Sequence, residues 1–145
     1  MLLVNGMNLL KIKKKDMRKL FLDDVRNPID CVTYKYESVY FENDWDIVRN
    51  YDEFVKYITE NGMPDLISFD HDLADEHYDP SMYDGTYNEK YETFKEKTGY
   101  DCAKWLVDHL MDNNLKMCSF IVHSMNPAGG TNIREYLNGF IKHNQ

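Results

Sequence analysis

Four short apolar runs punctuate the chain, and three of them end abruptly in acids or a histidine. Lys19-Leu20-Phe21-Leu22 runs into Asp23-Asp24, Leu66-Ile67-Ser68-Phe69 into Asp70-His71-Asp72, and Ser119-Phe120-Ile121-Val122 into His123-Ser124. Asp46-Ile47-Val48-Arg49 is a weaker fourth. Runs this short, without strict alternation, read as strands buried on both faces. Between them the period changes to that of a helix. Tyr51, Phe54, Val55 and Ile58 fall on one helical face behind an Asn50/Glu53 capping box, and Asn61-Gly62 and Pro64 stop that helix. Thr98 with Asp101 opens a second helix carrying Cys102, Trp105, Leu106, His109 and Leu110. A third buries Ile133, Tyr136, Leu137, Phe140 and Ile141, starting either at Asn126-Pro127 or, after Gly129-Gly130, near Thr131.

Strands alternating with helices predict an α/β fold, an open doubly wound parallel sheet with helices on both faces. Right-handed crossovers favour about four strands in the order 2-1-3-4. In such a sheet the ligand crevice opens at the carboxyl ends of the strands flanking the switch in winding direction. Those are the first and third, and both end in paired acids. Two long segments, 27–44 with Tyr34, Tyr36, Tyr40 and Phe41, and 73–97 with Tyr78, Tyr83, Tyr87 and Tyr91, leave the sheet at that same edge. They are expected to rim or cover the crevice, or to be surface excursions.

Charge changes this picture at one end. The chain carries −8 in all, but residues 11–19 hold six basic side chains against Asp16, so the remainder carries −13. An acidic body excludes a protein that coats duplex nucleic acid, though not one that grips a single phosphate. Residues 1–16 read as a basic N-terminal appendage and 17–145 as one domain. The lysines follow the first apolar stretch, the wrong order for a signal peptide, and no run approaches the roughly 18 apolar residues of a membrane span. A cytoplasmic location is expected. Cys31, Cys102 and Cys118 have no CxxC spacing and suggest packed, reduced thiols. Oligomeric state is not legible.

Taken together, LFLDDVRNP, the W-x-I-V-R-x-Y-x-E-F stretch, ISFDHDL, TGYD and VHSMNPAGG resemble the cyclic-phosphate-processing receiver domain family from about Met17 to Phe140, the two long segments being insertions. The resemblance implies a truncated receiver (flavodoxin-like) fold. It implies processing or hydrolysis of a cyclic phosphate, either an RNA 2′,3′-cyclic phosphate end or a cyclic nucleotide, in RNA repair or in prokaryotic or phage conflict. The partner would be a phosphate-bearing nucleotide or RNA end, with no membrane. Motif by motif it carries over Asp23, Asp24 and Arg26, then Asp70, His71 and Asp72, then His123, Ser124 and Asn126.

The chemistry of those residue types gives each a role. Asp23, Asp24 and Asp70 are the expected metal ligands, since clustered carboxylates repel unless a hard cation such as Mg²⁺ or Mn²⁺ joins them. Fe²⁺ or Zn²⁺ enters if His71 or His123 ligates. Otherwise His71 and His123, with Asp72, are the expected acid–base groups. Arg26, Ser124 and Asn126 are expected to hold the phosphate or sugar. The competing readings are an ordinary turn at Asp23-Asp24, a surface ion pair at Arg26 and a cap at Asp72. Two other functions compete as well: a non-catalytic module that sequesters a nucleotide signal, and a switch phosphorylated on Asp70.

Overall fold

The computed structural model describes residues 17–35, 37–74 and 96–144. The expected basic appendage and most of the 73–97 segment, with its tyrosines, lie outside those residues, as does Tyr36. Strands β1 (Lys19–Leu22), β2 (Asp46–Val48), β3 (Leu66–Phe69) and β4 (Ser119–Val122) form one all-parallel sheet in the order β2-β1-β3-β4. This is the expected receiver-like α/β topology.

Each face of the sheet has its own layer. Leu20, Leu22, Ile67, Phe69 and Val122 point to one side, where helices α1 (Tyr51–Asn61), α2 (Gly99–Asp112) and α3 (Pro127–Asn144) bury Phe54, Ile58, Leu106, Leu110, Ile133 and Leu137 against them. Phe21 points to the other side and packs with Cys31, Tyr40 and Trp45. Those three come from the β1–β2 connection, which folds as two 3-10 helices, Pro28–Thr33 and Ser38–Phe41. All three α-helices therefore share one face, and the second is covered by 3-10 helices. Crossover handedness explains the division: the step from β1 to β2 runs opposite to the steps that build β3 and β4, so it lands on the opposite face.

Residues 27–44 are thus a structural layer as well as a rim. Lys19 secures it from below, fully buried with its Nζ 2.6 Å from Glu42 and 2.5 Å from Asp44. The Trp45 indole N–H donates to the Val39 carbonyl at 3.1 Å.

Helix ends follow the expected caps with one shift. Asn50 accepts from the Glu53 N–H at 2.8 Å, but the Glu53 carboxylate takes the Arg49 N–H, one residue earlier than a standard box. Gly62, at φ 77°, closes α1 in the left-handed conformation that favours glycine. Thr98 and Asp101 form the full reciprocal box of α2. Helix α3 starts at Pro127, not at Thr131, because the Asn126 Oδ1 accepts from the Gly129 N–H at 3.0 Å. Gly99 lets α2 press onto the end of β3: a Cβ there would lie 1.8 Å from the Asp70 carbonyl oxygen. Among the described residues no helix is long and apolar enough to cross a membrane.

Candidate functional site

The strand ends meet as the topology requires, since β1 lies beside β3 and β3 beside β4. Alternation along the strands sets which side chains converge. Phe21, Ser68 and Ile121 share a register row on the face of the 3-10 layer, so Asp23, Asp70 and His123, each two residues further on, follow them onto that side. One ligand atom from each of Asp23, Asp70 and His123 lies within 4.8 Å of the others, and all three residues are buried.

Asp23 is the hub. Its Oδ1 accepts the backbone N–H groups of Val25 at 3.0 Å and Arg26 at 2.7 Å. Its Oδ2 accepts from Arg26 Nε and His123 Nε2, both at 2.9 Å. Those four donors fill the acceptor positions of a carboxylate. Burial would push the carboxyl up, but the His123 bond and the two backbone donors outweigh it and hold Asp23 well below the usual range.

Its acidic neighbours behave in the opposite way. Asp70, 1% exposed, accepts the His71 N–H on Oδ1 at 2.8 Å, while Oδ2 is buried without a hydrogen bond among the described residues and has the Arg26 guanidinium 3.3 Å away. Burial, then the charge of Asp23, push Asp70 up to about 8. Asp24 likewise has a buried Oδ1 without a hydrogen bond, and burial and Asp23 push it up to about 6. Two acids hold orphaned oxygens beside a third that is fully bonded. The ligand atoms that converge belong to Asp23, Asp70 and His123, and the expected ligand Asp24 is not among them. A divalent cation fits between Asp23 and Asp70 because it removes their repulsion.

Several expected roles change on this geometry. His123 was expected to ligate a metal or to act as an acid–base group; it belongs to the converging group, is fully buried and stacks on Phe21 at 4.3 Å with an 8° interplanar angle. Both its ring nitrogens are bonded, Nε2 to Asp23 and Nδ1 to Ser68 at 2.7 Å. It supports Asp23. His71 and Asp72 are also buried, joined Nδ1 to Oδ1 at 2.9 Å, and Asp72 accepts the Asn126 amide at 3.1 and 3.3 Å. The three make a clamp between the end of β3 and the cap of α3. Asn126 thus caps α3 and holds Asp72 in this structure. Arg26 is spent internally too, on Asp23, beside Asp70, and on Tyr34, whose hydroxyl takes its NH1 at 2.7 Å. Ser124 stays half-buried, and its Oγ accepts the Asn126 N–H at 3.0 Å.

Four site residues escaped the sequence reading. Tyr34 braces Arg26 and donates to the His123 carbonyl at 2.9 Å. Arg49 donates to the backbone oxygens of Asp23 and Arg26 and to the Asn27 side chain, which pins the β1 loop. Ser68 and Tyr40 are bonded to each other at 2.6 Å behind His123. Ser68 alone left a signal: a hydroxyl in an otherwise apolar strand, two residues before Asp70 and so on its side of the sheet. The tyrosines and Arg49 sit far along the chain from what they touch.

No curated protein matches the chain. The family model for the Cyclic-phosphate processing Receiver domain matches residues 18–139, close to the span that the motifs outlined. That match covers most of the chain and includes every residue of the acidic cluster and its supports, so the chain belongs to the cyclic-phosphate processing receiver domain family.

Proposed function

We propose that this domain hydrolyses a cyclic phosphate with the help of a divalent metal ion, acting on an RNA 2′,3′-cyclic phosphate end or a cyclic nucleotide. The observation that carries the reading is the pair of buried carboxylate oxygens without hydrogen bonds, Asp24 Oδ1 and Asp70 Oδ2, beside the saturated Asp23. A buried carboxylate oxygen without a hydrogen bond favours uptake of a proton or a nearby cation, the place that Arg26 takes for Asp70 in this structure. Asp70 and Asp23, whose ligand atoms converge, would hold the ion, Asp23 at the expense of its bond to Arg26, and Asp24, outside that converging group, is the further carboxylate expected from the sequence. Oxygen donors alone favour Mg²⁺ or Mn²⁺ over Fe²⁺ or Zn²⁺. When bound, such an ion supplies Lewis-acid polarisation of a phosphoryl oxygen.

The protein's own groups do the rest. Arg26 shares the oxygens of Asp23 and Asp70, so a guanidinium released from Asp23 is already positioned for a phosphate. The Ser124 hydroxyl, which accepts one backbone N–H, keeps its own proton to donate. Helix α3 begins three residues further on, and its N-terminus favours an anion in the same place.

The test is turnover. Purified protein with Mg²⁺ or Mn²⁺ is incubated with a 2′,3′-cyclic-phosphate RNA and a panel of cyclic nucleotides, alongside Asp70→Ala and Asp24→Ala. Metal-dependent ring opening lost in both variants supports the proposal. Tight binding without turnover would favour the sequestering module. Acid-labile phosphate on Asp70 after treatment with acetyl phosphate would favour the switch.

A further inference from the structure

Behind the acidic cluster runs a buried chain of four side chains from four segments: Tyr40 OH to Ser68 Oγ at 2.6 Å, Ser68 Oγ to His123 Nδ1 at 2.7 Å, and His123 Nε2 to Asp23 Oδ2 at 2.9 Å. Tyr40 is 1% exposed and the other three are fully buried, so the protein itself supplies the partners of this chain. The protons can be placed from the carboxylate end. An ionised carboxylate only accepts, so His123 Nε2 must carry the hydrogen of that bond. In a neutral ring Nδ1 is then an acceptor, and Ser68 must donate to it. Ser68 has one proton, so Tyr40 must donate to Ser68. Every group in the chain is satisfied in this one direction.

We propose that Tyr40 and Ser68 are positioning residues that lock His123 in the Nε2–H tautomer, so that the imidazole orients Asp23 and does not itself bind the metal. A metal on Nε2 would require the opposite tautomer. Nδ1 would then donate to Ser68, and one hydroxyl hydrogen, that of Tyr40 if Ser68 donates to it or that of Ser68 if it accepts from both neighbours, would be left with no acceptor in this hydrogen-bonded chain. A buried donor without an acceptor is unfavourable, whereas an imidazole that holds a ligating carboxylate from behind is a recurrent second layer of metal sites. The Phe21 ring stacked on the imidazole resists its rotation out of the Asp23 plane. Tyr40 arrives from the 3-10 layer, so this layer bears on the site although it contributes no expected ligand.

The inference rests on the metal-site reading only for its consequence; the tautomer is measured without metal or substrate. Protein labelled with ¹⁵N-histidine is examined by long-range ¹⁵N–¹H correlation near pH 7.5, first metal-free and then with saturating Mg²⁺ and with Zn²⁺. The expected result is a single Nε2–H form for His123, unchanged by either ion. Ser68→Ala and Tyr40→Phe should each shift the tautomer ratio by about fivefold, the equivalent of one lost hydrogen bond, and Ser68→Thr should restore it. Three results would each overturn the proposal: an Nδ1–H form in the wild type, loss of the Nε2 proton on adding Zn²⁺, or a ratio indifferent to both Ser68→Ala and Tyr40→Phe. Absence of turnover would count against the hydrolase reading and leave the tautomer standing.

Discussion

Replacing Asp70 by asparagine tests the electrostatics of the cluster without any assumption about substrate. In the metal-free protein, burial and Asp23 move the Asp70 carboxyl from 3.8 to about 8. The folded state then keeps a proton that the unfolded chain has already released. Because the folded state binds more protons, stability falls as pH rises through this window. The fall is cleanest between pH 6.5 and 8. His123, lowered from 6.5, contributes stability that is lost as pH falls below 6.5, and Asp24, raised to about 6, has nearly finished titrating there. Above pH 6.5 their contributions are small and opposite in sign. One proton held across most of this window, partly released as pH nears 8, amounts to about 1 to 2 kcal/mol. For a domain of this size that is about 5 °C in Tm. Thermal unfolding in a chelator should therefore show wild-type Tm falling by that amount from pH 6.5 to 8, with the slope abolished in Asp70→Asn. Mg²⁺ should restore the wild type at pH 8 and leave the variant unmoved. A flat or rising wild-type curve, or an equal slope in the variant, would refute the assignment of Asp70 as a proton-holding buried acid.

Two further predictions concern the scaffold that holds the site. Asn126→Ala removes both the cap of α3 and the donor to Asp72, and should lower stability by about 2 kcal/mol in chemical denaturation, more than an exposed cap costs. A loss under 0.5 kcal/mol would mean that the clamp does not bear load. Gly99→Ala places a methyl 1.8 Å from the Asp70 carbonyl oxygen and should destabilise by about 3 kcal/mol, because backbone cannot move aside as a side chain would. Gly139→Ala, inside α3 with nothing within 4 Å of its Cβ, should stabilise by about 0.5 kcal/mol; if the two changes share a sign, the packing argument fails.

Much of this protein was legible along the chain because its signals are local. An apolar run that stops at an acid reports a strand and its exit from the sheet, and β1, β3 and β4 have the expected limits. Thr98 with Asp101, and Asn126 with Pro127, mark helix starts through contacts three residues long. Strand order followed from crossover handedness, and the meeting of Asp23, Asp70 and His123 followed from strand order.

What each site residue touches was decided only by the tertiary structure. Whether a histidine faces substrate or supports a carboxylate depends on partners 55 and 100 residues away, Ser68 and Asp23, and on Phe21 stacked against it. The same holds for the β1–β2 connection, whose tyrosines suggested a rim: Tyr40 turns inward to Ser68 as part of a second layer, and Tyr34 reaches the site to brace Arg26. Periodicity records which side of an element is apolar. Which polar atoms are left without a hydrogen bond at the end of folding is a property of the whole packed sheet, and among the described residues those atoms are on Asp24 and Asp70.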